Sequence, residues 1–177
     1  MSIIACTEFE KDIVKLLAED KIIKQLIVVD GSSSSKFVNG LKQIGLVPHV
    51  LFPETIPCGL KKSKGFNVLV TLQDNNSYSS SGQMKREIYE KIKFYGLVSS
   101  GILMFYGSCK GIFGDVLLDF RKRKIFLEFL SSENGGYMGD GIDDCFSNNK
   151  DMHTPELAEK YRDCYNELKE QILSQLV

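Results

Sequence analysis

GILMFYGSCKGIFGDVLLDFRKR, residues 101–123, decides the fold. Its first five residues are apolar without alternation, the pattern of a strand buried on both faces. The next nine, Tyr106 to Gly114, set glycines at 107, 111 and 114 around Cys109 and Lys110, which predicts a tight turn. The stretch then becomes amphipathic and ends in Arg121, Lys122 and Arg123. Cations there suit the negative end of a helix dipole. Strand, turn and helix in this order form the building unit of an α/β protein.

The same alternation runs outward along the chain. SIIAC (2–6) predicts a first strand, and EFEKDIVKLLAED (8–20) a helix with Phe9, Ile13, Leu16 and Leu17 on one face. QLIVVD (25–30) predicts a second strand, followed by the turn cluster DGSSSS and a helix stopped by Gly45. VPHVLF (47–52) reads as a short strand, PETIPCGLKKSKGF (53–66) as an irregular loop and NVLVTL (67–72) as a clear strand. After the polar QDNNSYSSSG, the helix QMKREIYEKIKFYG (83–96) carries Met84, Ile88 and Ile92 on one stripe. KIFLEFL (124–130) predicts the last strand, and Glu133–Asn149 a glycine- and acid-rich functional loop. Thr154 and Pro155 open a final helix with a stripe of Leu157, Tyr161, Cys164, Leu168 and Ile172.

No internal repeat and no linker divides the chain. The expectation is a single α/β domain over residues 1–177, an open sandwich with a mainly parallel sheet and helices on both faces. Sites in such sheets form beyond the carboxyl ends of the strands.

Composition bounds the function. The 177 residues suffice for one domain with a real core. A net charge of −1 gives no footprint for nucleic acid or an anionic membrane surface. No apolar run approaches the length of a membrane span, and the acidic start MSIIACTEFEKD is no secretory signal, so a cytoplasmic location is expected. Cys6, Cys58, Cys109, Cys145 and Cys164 are odd in number and irregularly spaced, which argues against a disulfide framework.

Three of these cysteines fall where α/β folds build sites. Cys6 ends the first strand, Cys109 follows GILMF, and Cys145 follows the acidic loop after KIFLEFL. Cys6 and Cys109 also stand at helix N-termini, where dipole and unpaired N–H groups stabilise a thiolate. Cys164 on its apolar stripe reads as a core residue, and Cys58 between Pro57 and Gly59 as incidental. His49 and His153 have no metal-ligand spacing. Asp140, Asp143 and Asp144 fit either turn residues or oxygen ligands. The glycine pattern is neither G-x-G-x-x-G nor a P-loop. Nucleotide binding therefore has only Asp30 behind it, and the acidic first turn CTEFE disfavours phosphate.

The fragments IIAC (3–6), ILMFYGSCKG (102–111) and GIDDCF (141–146) together resemble an uncharacterised cysteine-motif α/β family, a domain of unknown function of methanogenic archaea and anaerobic bacteria. Members share a cysteine after the first strand, a Tyr-Gly-x-Cys turn and an Asp-Cys pair, and are often encoded near corrinoid-dependent methyltransferases. The chain departs from the pattern at Thr7, where glycine is usual, and at Lys110, inserted before Gly111. Residues 46–82 do not align with the family. The resemblance implies that Cys6, Cys109 and Cys145 form one site, with Gly107 and Asp144 in the same motifs.

These readings give the expected function: a metal site holding zinc or an iron–sulfur cluster through Cys6, Cys109 and Cys145. Soft thiolates select such metals, and three protein ligands leave one position open. Gly107, Gly111 and Asp144 are the accompanying ligand contacts. The resemblance adds a link to methyl-transfer metabolism. Two alternatives belong to other classes. One is a cofactor-free cysteine racemase or isomerase, with Cys6 and Cys109 facing each other across a pocket. The other is a non-enzymatic accessory of a corrinoid methyltransferase. The partner is accordingly a small molecule or a corrinoid methyltransferase component, with no role for nucleic acid or membrane.

Overall fold

A computed structural model describes residues 1–60, 65–74, 78–106, 119–120, 126–129 and 155–175. Six strands form one sheet: β1 (Ser2–Cys6), β2 (Gln25–Val29), β3 (His49–Leu51), β4 (Asn67–Gln73), β5 (Gly101–Phe105) and β6 (Phe126–Phe129). Their spatial order is β3-β2-β4-β1-β5-β6, and every pairing is parallel. The α/β class expected from residues 101–123 is therefore observed, with no antiparallel pair among the described strands.

The connections divide the helices between two faces. The chain steps from β1 to β2 to β3 toward one edge, and from β4 to β5 to β6 toward the other. Right-handed crossovers then place α1 (Glu10–Glu19) and α2 (Ser34–Gln43) on one face, and α3 (Ile56–Leu60) and α4 (Ser81–Tyr95) on the other. The final helix α5 (Pro155–Ser174) returns to the α1 face, where Arg162 pairs with Glu19 and Lys169 with Asp20. The unusual step is β4, which lies between β1 and β2. The β1–β2 connection must pass over it.

The central strands are apolar because both their faces are covered. β1 and β5 are buried at every position. On α1, Phe9 (in the 3-10 turn before it), Ile13, Leu16 and Leu17 are buried, as their helical spacing requires. On α4, Met84, Ile88 and Ile92 are fully buried, each such side chain stabilising the fold by about 1.5–3 kcal/mol. α2 ends at Gly45, whose φ of +84° suits glycine. Gly45 N–H reaches Lys42 O and Leu46 N–H reaches Leu41 O, so two orphan carbonyls are satisfied.

Three details differ from the sequence expectation. Residues 53–60 are not irregular: Pro53–Thr55 is a 3-10 turn and Ile56–Leu60 a short helix held down by buried Ile56. α4 starts two residues earlier than expected, because Ser80 caps it by accepting from the Gln83 N–H. On α5 the stripe is completed by Tyr165, which is 1 % exposed, while Cys164 is only half-buried against the core.

Candidate functional site

The strand order creates a topological switch. The chain leaves β2 toward the α1 face and leaves β4, its neighbour, toward the α4 face. A crevice should open where neighbouring connections diverge, beyond the carboxyl ends. One does: a crevice of about 540 Å3 lies between the ends of β2 and β4, against α4. That volume is typical of small-molecule sites.

Its floor is built from the strand ends. Val29, Asp30 and Gly31 leave β2, and Thr71, Leu72 and Gln73 end β4. Its wall is one side of α4, where Arg86, Glu87, Glu90, Lys91, Phe94 and Tyr95 recur at helical spacing. Pro53, Leu72 and Phe94 give it apolar area, and Asp74 and Tyr78 close it from the loop after β4.

The charged groups divide into two classes. Each carboxylate already has a partner. Asp30 accepts from the Gly31 N–H at 3.0 Å and the Ser34 hydroxyl at 2.8 Å. Glu87 accepts from the Gln83 amide at 3.1 Å and from Tyr78. Glu90 pairs with Lys93 at 2.8 Å, and Asp74 is also engaged. The two cations, Arg86 and Lys91, make no ion pair with any described residue. Burial pulls the Lys91 ammonium below its ordinary pKa, and Glu87 one turn earlier opposes this only in part.

A chain of hydrogen bonds enters the crevice from the far side of β1. Tyr106 donates its hydroxyl to the Gln73 side-chain carbonyl, the Gln73 amide donates to Tyr78, and Tyr78 bonds Glu87. Tyr106, Gln73 and Tyr78 are all buried. Burial, reinforced by Glu87, pushes the Tyr78 phenol well above its ordinary pKa, so it stays protonated. Tyr95 is pushed up by burial, against a hydrogen bond to Thr71 that acts the other way.

Of the residues singled out from sequence, Cys6 stands at the carboxyl end of β1 as expected. It opens the 3-10 turn Thr7–Phe9 but makes no side-chain cap bond. Its thiol is fully buried and donates to the Phe105 carbonyl at 3.5 Å. Cys109, Cys145, Gly107, Gly111 and Asp144 lie outside the described residues, as does the Glu133–Asn149 loop. Among the described residues, no group of three or more His, Cys, Asp or Glu could hold a metal ion. Cys58 and His49 are exposed. No helix among the described residues is long and apolar enough to cross a membrane.

The sequence reading missed Arg86, Lys91, Gln73 and Tyr78. A usable signal was present for the first two. Residues 86, 87, 90, 91, 94 and 95 share one helical side, directly beside the apolar stripe. Gln73 and Tyr78 sat in a stretch read as a polar connection. Comparison with protein-family models, with curated proteins and with solved structures gives no match.

Proposed function

We propose that this chain binds a small organic anion in the crevice at the carboxyl ends of β2 and β4. The observation that carries this reading is the partition of charge there. All four carboxylates are engaged, and neither cation makes an ion pair with a described residue. Lys91 is partly buried, with Glu87 one turn earlier offsetting only part of the cost, and an acceptor on a ligand offsets more of it. Arg86 offers a planar fork suited to a carboxylate or phosphate, and Lys91 a point charge deeper in. Phe94, Leu72 and Pro53 take the apolar body of the ligand.

Thermal unfolding with and without small anions tests it. Succinate, benzoate and inorganic phosphate are offered beside uncharged and cationic compounds of like size. Stabilisation by an anion should reach about 2.7 kcal/mol at a hundredfold excess over Kd and vanish in Arg86→Ala and Lys91→Met. Stabilisation by cations alone, or by anions equally in both variants, overturns the reading.

A second reading keeps zinc or an iron–sulfur cluster on Cys6, Cys109 and Cys145, with the methyl-transfer association that accompanies it. What favours it is one register. Ala5 is paired with Phe105, so Cys6 and Tyr106, the first residue of the Tyr-Gly-x-Cys motif, leave neighbouring strands side by side. Elemental analysis and a visible spectrum of anaerobically purified protein test it. Near-stoichiometric zinc, or iron with sulfide charge-transfer bands, supports it; protein that takes up neither on reconstitution overturns it.

A further inference from the structure

We propose that Lys91 is the nucleophile of the crevice, and that the anion bound there is a small oxo acid whose carbonyl carbon Lys91 attacks while Arg86 holds its carboxylate. This rests on the anion-binding reading above and narrows it to one chemical class. The geometry supplies three parts. The first is an open crevice of ligand size with Arg86 and Lys91 on one wall, five residues apart on α4 and so about 7.5 Å apart along its axis. The second is an amine that no described carboxylate pairs with. The third is a hydrogen-bonded pair of oxygen groups in the same crevice, Tyr78 from the segment after β4 and Glu87 from α4, able to orient a ligand.

The environment of Lys91 agrees. Of the charged and titratable groups that line the crevice, Glu87 and Glu90 come from its own helix, Asp30 from the end of β2, and Asp74 and Tyr78 from the segment after β4. Burial dominates and lowers the Lys91 pKa, and of these groups Glu87 opposes it. A lysine in that state keeps more free amine near neutral pH than an exposed one. Exposed Lys36, paired with Glu10, is the internal contrast.

The step balances without a further reactant. The free amine of Lys91 adds to the carbonyl carbon, and the carbonyl π pair moves to oxygen, which takes a proton. The carbinolamine then loses that oxygen as water, leaving an imine between Lys91 and the ligand. Hydrolysis reverses it.

The experiment is reductive trapping of the whole chain with glyoxylate or pyruvate and cyanoborohydride at neutral pH, read by peptide mass mapping. Lys91 should be modified several-fold faster than the solvent-exposed, ion-paired Lys36. Excess succinate, which carries carboxylates but no carbonyl, should protect it. Lys91→Arg keeps the cation and cannot form an imine, so it should keep succinate binding and lose trapping. Succinate binding without selective trapping of Lys91 overturns the nucleophile and leaves the anion site standing. Selective trapping that succinate does not prevent shows a reactive amine outside the proposed anion site, and overturns the assignment to an oxo acid held by Arg86.

Discussion

The hydroxyl of Tyr106, one residue past β5, donates to the side-chain carbonyl of Gln73 at the end of β4, reaching across the end of β1. Gln73 is the register partner of Cys6, so the bond passes over the cysteine that ends β1. The same amide donates onward to Tyr78. One buried side chain thus ties Tyr106, the first residue of the Tyr-Gly-x-Cys motif, to the crevice beside α4. Gln73→Leu leaves two buried phenols short of a partner and should destabilise by about 2–4 kcal/mol, whereas Tyr106→Phe should cost about 1 kcal/mol. The double variant should cost less than the sum of the singles, because both remove one bond. Urea denaturation of the three variants checks this; strict additivity would sink the relay.

Asp20 is the acid-sensitive joint between α1 and α5. Burial opposes its ionisation, yet the Ile22 N–H, the Tyr165 hydroxyl and the Lys169 ammonium together hold its carboxyl below the ordinary value of 3.8. The unfolded chain therefore takes up a proton at a higher pH than the folded one. The stabilisation is fully present above the unfolded pKa and is lost as pH falls through the folded pKa. Asp20→Asn should lower stability by about 1–2 kcal/mol at pH 7, with the gap to the parent closing in acid. Denaturation midpoints of both proteins at pH 7 and in acid read it; a gap that does not depend on pH contradicts it.

Substitution of Cys6 separates the two roles open to that residue. As a core thiol bonded to the Phe105 carbonyl, it should tolerate Ala at a cost of about 1 kcal/mol and leave metal content unchanged. As a ligand with Cys109 and Cys145, its loss should remove the metal altogether, as should loss of either partner. Metal per chain, measured on Cys6→Ala, Cys109→Ala and Cys145→Ala alongside the parent, decides between them.

The sheet was legible because its strands are extreme in composition. SIIAC and GILMF have almost no polar position, and only strands covered on both sides read that way. The stripe of Met84, Ile88 and Ile92 and the stop at Gly45 were legible for similarly local reasons. Helix α3 was not, since IPCGL holds a proline and a glycine and forms a turn of helix only because Ile56 is buried. The strand order, with β4 set between β1 and β2, has no local signature. It is also what makes the crevice. Arg86 and Lys91 lie beside the apolar stripe of their helix, and only the strand order makes that side the wall of a crevice, while Gln73 read as the edge of a polar loop. The position of Cys6 was legible, but the carbonyl that its thiol meets belongs to another strand, 99 residues on.

Gly101 opens β5 directly beneath α5. A Cβ built there would lie 2.7 Å from Leu168 Cδ1 and 3.1 Å from Ile172 Cδ1, both on buried side chains. Glycine is thus required by the close approach of helix to sheet rather than by backbone conformation. Gly101→Ala should destabilise by about 1–3 kcal/mol through overpacking. Adding Leu168→Ala should recover part of that loss, although Leu168→Ala alone costs about 2–5 kcal/mol, because the cavity it leaves accepts the new methyl group. Thermal and urea unfolding of the three variants give the coupling. A coupling near zero would mean that α5 shifts away as a rigid body instead of clashing, and the packing argument for Gly101 would fall.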